Sequence, residues 1–490
     1  MNLNYGELFH ALRPEAALVV GALLVLGLDL ATGRGRTAVA RLMTSTSIAL
    51  AAVALAAWFA CAPTTQGNVF GGALVLDSLT LVTRLGVLVL AGLTLALLPG
   101  VARLRQPAEY VAVVLFATVG FTLMAAAQQL LIAFLALELA SLSLYVLAGF
   151  DKSRAESAEA ALKYFLFGGV SAAFLLFGFS LLYGLTGTID LPEMAVRLRT
   201  VPTSAPLVVA LVMVLVAFGF KAAAAPFHLW APDVYQGAPA SSAALIASAS
   251  KLAGFALFVR LLWGGLGPVA NANLAAGDPP GWITVVVVLA AVSLLLGNIA
   301  ALAQSNVRRL LAYSAIAHAG VLFLGVITAG KFGPGALIYY AATYGLATVG
   351  AFGVIAVIDR AGGCHEFSDL AGLHRRSPLL AMCLLVFILS LAGIPPLAGF
   401  FGKFLVFSQT LRLHGLAHPA GWLALLAIAL SAVALYYYLL ILKPALVAPA
   451  SHAADTPIKV PLPAAVALLG TALLLVGLGS FPSVLLRLFG

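Results

Sequence analysis

The stretch FGFKAAAAPFHLWAPDVYQGAP (218–239) decides how this chain is built. It sits within a long apolar segment, yet it holds Lys221, Pro226 and Pro232. Proline has no backbone N–H and clashes with the preceding turn, so a helix is interrupted there. A second stretch follows the same pattern. LSLAGIPPLAGFFGKF (389–404) carries Gly393, Pro395, Pro396 and Gly399 in its middle and Lys403 just beyond. Each predicted helix therefore has a break, and each break has a lysine beside it.

The surroundings of both stretches are apolar to a degree that water does not permit. Hydrophobic residues make up 63% of the 490 positions and charged residues 9%, against roughly 25% charged in ordinary soluble domains. Val111 to Ala127, Val285 to Leu296 and Ala464 to Leu478 pass almost without a polar residue. About 20 such residues cross the hydrocarbon of a bilayer. The expected fold is therefore an all-α integral membrane protein. The first helix begins soon after Arg13 and lacks a small-residue cleavage site, which predicts a retained span.

Breaker-rich and charged loops divide the chain into about fourteen predicted transmembrane helices: 12–31, 38–60, 76–98, 108–127, 130–150, 158–184, 205–236, 240–264, 281–302, 307–329, 335–359, 377–412, 420–443 and 460–487. Counted alternately, loops on one side hold Arg34, Arg36, Arg41, Arg103, Arg105, Lys152, Arg154, Arg308, Arg309, Arg360, Arg375, Arg376, Lys443 and Lys459. The other side holds only Arg13, Arg197, Arg199, Lys331, Arg412 and Arg487. The positive-inside rule puts the richer side in the cytoplasm and both termini outside. The same asymmetry accounts for the net charge of +9 without a nucleic-acid partner.

The broken helices are seventh and twelfth, five apart. Helices four to eight (108–266) and nine to thirteen (280–443) then read as two copies of one unit, flanked by three helices in 1–107 and one in 444–490. Five is odd, so the second copy runs through the membrane in the opposite sense. Inverted repeats with discontinuous helices mark ion and proton transporters.

Of the 26 Lys and Arg residues, Arg84, Lys163, Lys221, Lys251, Arg260 and Lys403 fall inside predicted spans. A charge there costs about 2.5–3.5 kcal/mol even on the permissive insertion scale, unless a long stem carries it to the headgroups. Arg84 and Arg260 lie near enough to the outer ends for that. Lys163, in the first turns of helix six, also has that escape. Lys221, Lys251 and Lys403 do not. Glu138 is central and too short to reach the surface, and His318 has an imidazole, whose ordinary titration range suits a relay. The expected proton path is Glu138, Lys163, Lys221, Lys251, His318 and Lys403, hydrated at the breaks around Pro226, Pro395 and Pro396. An ion pair between Glu138 and Lys221 is expected if helices five and seven touch.

With FKAAAAPFHLWAPDVYQGAP (220–239), VRRLLAYSAIAHAG (307–320) and LAGIPPLAGFFGKF (391–404), the chain resembles the antiporter-like membrane subunits of respiratory complex I, the proton-pumping NADH:quinone oxidoreductase. The WAPDVYQGAP segment is similar to the N branch of that family, which includes mitochondrial NADH dehydrogenase subunit two. The resemblance implies a bacterial inner-membrane subunit that translocates protons and works beside an antiporter-like M subunit and small membrane subunits. It also implies that NADH, FMN, iron–sulfur clusters and quinone are bound elsewhere in the assembly. The family's helix-five glutamate and its lysines on helices six, seven, eight and twelve match Glu138, Lys163, Lys221, Lys251 and Lys403, and its helix-ten histidine matches His318.

The alternative on the same fold is an Mrp-type cation/proton antiporter subunit, against which WAPDVYQGAP and the lack of a carboxylate cluster argue. No metal site or cofactor is expected on this chain. Cys61, Cys364 and Cys383 form no CxxC pair, only His228 and His318 lie near membrane depth, and His414–His418 reads as a solvated face.

Overall fold

The computed structural model describes residues 5–33, 35–62, 67–101, 104–202, 204–271, 281–416, 418–449 and 456–489. Arg34 and Arg103 of the topology argument lie outside these residues. Thirteen helices among them are long and apolar enough to cross a bilayer. They are α1 (Arg13–Thr32), α2 (Ala38–Cys61), α3 (Ser78–Val101), α4 (Pro107–Ala126), α5 (Leu130–Ala148), α6 (Ala155–Thr186), the first half of α7 (α7a, Ala205–Ala222), α8 (Ala240–Gly264), α9 (Trp282–Leu302), α10 (Val307–Phe332), α11 (Gly335–Gly362), α13 (Pro419–Leu446) and α14 (Leu462–Ser480). The fourteenth, α12, consists of two shorter pieces, Pro378–Ala392 (α12a) and Ala398–His414 (α12b). The chain is a multi-pass, all-helical membrane protein, and its two five-helix runs, α4–α8 and α9–α13, each have a broken fourth helix.

Both breaks fall where the prolines put them. α7a stops at Ala222, Ala223 takes a left-handed conformation (φ 57°), and α7b resumes at Trp230–Gly237. α12a stops at Ala392 with Gly393 at φ 87°. The Ala225–Pro226 and Pro395–Pro396 peptide bonds are cis.

Interrupted backbone at membrane depth must find partners inside the protein or in a wet cavity. In α7 the indole of Trp230 donates to Phe220 O at 3.1 Å, and Ala225 N donates to Ser293 Oγ of α9 at 3.0 Å. The break in one repeat is thus completed by the other. In α12 the freed carbonyls of Leu391 and Ala392 accept from Lys403 Nζ at 3.1 and 2.9 Å, and Gly399 N donates to Ser390 Oγ at 3.2 Å.

Helices α8, α10 and α11 form the centre, buried over 94%, 94% and 100% of their most apolar windows, whereas α1, α6 and α13 are buried over only 33%. The outer helices keep apolar side chains exposed, such as Phe165, Leu166 and Phe177, as a surface facing lipid or other subunits requires.

The connection at Gln128 and Gln129 is a loop, as the division into 108–127 and 130–150 expected: α4 ends at Ala126, α5 starts at Leu130, and Gln129 pairs with Asp190 in an isolated bridge. Two local features depart from the sequence reading. Before α3 lies a short antiparallel hairpin, β1 (Gly67–Val69) with β2 (Leu74–Leu76), turned through Gly71 and Gly72 at positive φ. Helix α8 is not continuous; Ser248 (φ −112°, ψ −84°) separates Ala240–Ala247 from Ala249–Gly264, just ahead of Lys251. No proline announces that kink.

Candidate functional site

The central helices bring most of the sequence-derived residues into one row. Lys221, Lys251, His318 and Lys403 are 6%, 3%, 4% and 7% exposed, so no stem carries these heads to a headgroup. Each is held by polar atoms of the protein, which is the condition for keeping an ionisable group at this depth.

At one end of the row, Lys221 Nζ donates to Ser141 Oγ of α5 at 3.2 Å. Glu138 lies on the same helix face, three residues away, because i and i+3 are surface neighbours. Glu138 and Lys221 interact as charges but make no direct ion pair within 4 Å. Their helices approach through Ser141, and Glu138 keeps a buried Oε1 without a hydrogen bond. The stem of Lys221 packs against Gly254 of α8, where a methyl group would lie 3.4 Å from its Cγ.

Lys251 is one turn of α8 from that glycine. It donates to Ala315 O of α10 at 2.5 Å and lies 5.3 Å from the ring centre of Tyr344 on α11. A cavity of about 10 Å³ lies between Lys221 and Lys251, walled by Phe218, Phe255 and Phe258. Tyr344 continues the row, its ring 4.7 Å from that of His318. His318 is bonded on both sides, Nδ1 to Tyr340 Oη at 2.5 Å and Nε2 to Tyr438 Oη at 3.0 Å. A second cavity, of about 20 Å³, is lined by His318, Lys403, Asn298, Ser431 and Tyr437. Each cavity has the scale of about one water.

Lys163 stands apart from this row. Its ammonium meets Glu159 Oε1 and Asp233 Oδ2, both at 2.6 Å, and its side chain is 37% exposed. Asp233 Oδ1 also accepts from Arg309 of α10 at 2.7 Å, so one carboxylate on α7b ties the two repeats at one end of the bundle. Arg308 continues this tie by donating to Gln236 O and Ala238 O at 3.3 and 3.4 Å, and it also bonds Asp359 of α11 at 2.8 Å.

The two arginines differ from each other. Arg260 is an anchor at the other end of the bundle: it bonds Asp77 at 2.8 and 3.0 Å, Thr80 Oγ1 at 3.0 Å and Ala125 O at 3.0 Å. Burial alone would raise the Asp77 carboxyl, but the hydrogen bonds and charge of Arg260 outweigh it and hold the group below its ordinary value. A cavity of about 380 Å³ opens beside this pair, lined by Gln128 and Trp263 among others. Arg84 does not snorkel. It is 4% exposed and meets Glu15 of α1, also 4% exposed, at 2.9 Å. Their contact is electrostatic, without aligned hydrogen bonds.

Among the described residues, no group of three or more His, Cys, Asp or Glu side chains is placed to hold a metal ion. The rings of His414 and His418 are stacked, 4.4 Å apart, and His418 Nδ1 accepts from Ala420 N at 3.1 Å as the cap of α13. Buried Cys364 lies next to Arg308, yet burial dominates and pushes its thiol up to about 12.

Sequence reasoning missed Ser141, Asp233, Tyr340, Tyr344 and Tyr438. Ser141 was within reach as the i+3 neighbour of Glu138, and Asp233 lies in the opening stretch. The tyrosines carried no signal, since aromatic residues in apolar helices most often serve as core.

Two five-helix bundles with broken fourth helices and buried ionisable groups between them define an antiporter-like membrane protein. The family described as NADH:quinone oxidoreductase/Mrp antiporter, transmembrane, matches residues 127–433. NADH-quinone oxidoreductase subunit N 2 of Acidobacterium capsulatum is 47% identical, with 99% of each chain covered. A chain of respiratory complex I from Thermus thermophilus superposes with a TM-score of 0.78 at 36% identity, over 97% of this chain and 98% of that one. A chain of the Mrp complex from Dietzia sp. also has a TM-score of 0.78, over 97% and 96%, but at 22% identity, a likeness of fold alone. The chain belongs to the NADH:quinone oxidoreductase/Mrp antiporter membrane family.

Proposed function

We propose that this chain is a proton-translocating membrane subunit of an NADH:quinone oxidoreductase, of the N kind. It moves protons along Glu138, Lys221, Lys251, His318 and Lys403 without a redox centre of its own. The observation that carries this reading is the spacing of the row. Four buried ionisable groups on α7, α8, α10 and α12 follow one another, with a water-sized cavity walled by phenylalanines between Lys221 and Lys251 and a second one, lined by polar groups, beside His318 and Lys403. An ammonium or imidazole in such surroundings is held by one or two partners, and a small change of partner loads or empties it. Lys163, bonded by Glu159 and Asp233, serves in this reading as the cytoplasmic entrance to the path.

NADH, FMN, iron–sulfur clusters and quinone are bound on other subunits in this reading. The partners are an antiporter-like M subunit and the small membrane subunits. The location is the bacterial inner membrane, with both termini on the periplasmic side. The repeat units are 108–266 and 280–443, between an N-terminal unit of 1–107 and a C-terminal helix in 444–490. The 47% identity to a subunit N over the full length supports this over an Mrp-type antiporter.

The test is Glu138→Gln and Lys221→Met in the assembled complex, reconstituted into sealed vesicles. NADH-driven acidification per electron falls if the row carries protons. Undiminished pumping in both variants would sink the proposal.

A further inference from the structure

The environment of His318 does more than fill space. Both ring nitrogens face phenol hydroxyls, Tyr340 on α11 and Tyr438 on α13, which are 1% and 0% exposed. Tyr438 Oη also bonds Ser314 Oγ, one turn before His318 on α10. Ser314 in turn precedes Ala315, whose carbonyl holds Lys251. On the other side, Tyr340 packs against the backbone of α12b at Gly402, where a methyl group would lie 2.6 Å from its ring. Gly402 is the immediate neighbour of Lys403. Tyr438 thus joins the imidazole to the turn of α10 that holds Lys251, and Tyr340 lies against the turn of α12b that carries Lys403.

We infer that Tyr340 and Tyr438 are members of the proton path, serving as the two hydroxyl relays through which His318 receives and releases its proton. The inference rests on the lateral row proposed above and adds two residues to it.

The chemistry follows from the hydrogen-bond inventory of the groups. A neutral imidazole has one N–H and one lone pair, and a phenol can give or accept at the same oxygen. With Nδ1–H donating to Tyr340, Tyr438 must donate to Nε2. In the opposite tautomer Tyr340 donates to Nδ1, Nε2–H donates to Tyr438, and Tyr438 turns its own hydrogen to Ser314. Tautomer and hydroxyl directions are locked together. A transfer then runs in one sense. The Tyr438 O–H bond breaks as Nε2–H forms, and the Tyr438 oxygen regains a proton from Ser314. Ser314 is refilled from the ammonium of Lys251, bonded to the next residue's carbonyl, through an intervening water. At the same time the Nδ1 proton passes to the Tyr340 oxygen, which releases its original proton toward the amine of Lys403. One proton leaves Lys251, one arrives at Lys403, and every hydroxyl and the imidazole end neutral. The ring is left in its opposite tautomer, and it is reset by exchange with water in the cavity lined by His318 and Lys403, which takes the Nε2 proton and returns one to Nδ1 with no net charge moved.

The decisive variants are Tyr340→Phe, Tyr438→Phe and the double change, which keep the ring packing and remove the hydroxyl. In the assembled complex in sealed vesicles, the double variant should slow NADH-driven proton translocation by at least about tenfold, short of the roughly 10²–10⁴-fold that a positioned acid–base group contributes to a chemical step. The solvent deuterium isotope effect on translocation should change with it. Substitution of 3,5-difluorotyrosine at 438 preserves the hydroxyl and should move the pH profile of pumping, a readout that packing alone does not shift and that remains usable if the Phe variants fail to assemble. His318→Ala is the companion control. If His318→Ala impairs pumping while the Phe and fluorotyrosine proteins pump with unchanged isotope effect and pH profile, the tyrosine inference is overturned and the row stands. If His318→Ala also pumps normally, the row fails at that residue and the inference fails with it.

Discussion

Ser141 and Lys221 meet at 3.2 Å, so the lysine of the broken helix is bonded to the glutamate's helix without touching the glutamate. A hydrogen bond to a charged group contributes about 1.5–3 kcal/mol, and here it decides where the ammonium rests. Ser141→Ala removes that bond and leaves Glu138 as the nearest counter-charge. The expected result is a severalfold fall in NADH-driven pumping with assembly retained, and recovery with Thr at the same position. Vesicle acidification rates check it.

Asp233 holds Lys163 of the first repeat and Arg309 of the second. All three side chains are about one-third exposed, so solvent screening limits each pair to about 1 kcal/mol. Asp233→Asn weakens both pairs at once and leaves two cations facing each other. A lower unfolding temperature for the purified assembly is expected, with Asp233→Glu closer to the unchanged protein. Thermal denaturation followed by differential scanning calorimetry provides the comparison.

The backbone around the second break tolerates no added atom. A Cβ on Gly399 would lie 1.9 Å from Ser390 O, whereas one on Gly169 of α6 meets nothing within 4 Å. Overpacking of this kind costs about 1–3 kcal/mol or more. Gly399→Ala should therefore reduce the yield of assembled subunit sharply, while Gly169→Ala should leave it unchanged. Equal yields of the two would contradict the packing described for α12.

Asp77 gives a pH dependence whose sign is fixed. Its folded carboxyl sits below the unfolded value of about 3.9 because Arg260 outweighs burial. The stabilisation it contributes is therefore complete above that unfolded value and is lost as pH falls through the folded one. The carboxylate side chain is 41% exposed, so screening keeps the contribution near 1 kcal/mol. Asp77→Asn should lower stability at neutral pH and flatten its acid decline, as read from unfolding temperatures across acidic pH.

Cysteine labelling tests the direction of the chain. Cys61 is exposed at the end of α2, on the periplasmic side if the termini lie there. Buried Cys364, with its thiol raised to about 12, should resist a maleimide at neutral pH. A membrane-impermeant maleimide should label Cys61 from outside intact cells. Labelling only from inverted vesicles would reverse the orientation.

Much of this architecture was legible because proline and lysine are expensive in lipid and stand out against an apolar background. Pro226, Pro395 and Pro396 located both breaks, and Lys221, Lys251 and Lys403 were buried as their positions implied. The Ser248 kink was not legible, since it comes from packing in the centre of the bundle rather than from a residue that forbids helix. Arg84 misled because distance along a helix from the membrane surface says nothing about a partner on another helix. Tyr340 and Tyr438 were hidden for the same reason: their roles depend on what lies across the helix interface.

The Glu15–Arg84 contact has a consequence for how the protein is made. The glutamate enters the membrane with α1 and the arginine only with α3, after the whole of α2 has been synthesised. Until then each charge faces hydrocarbon or must remain near the surface, at a cost of a few kcal/mol. The pair forms only once the third helix has been made, so the charge on the first helix waits for a partner two helices later in the chain, before either five-helix run exists.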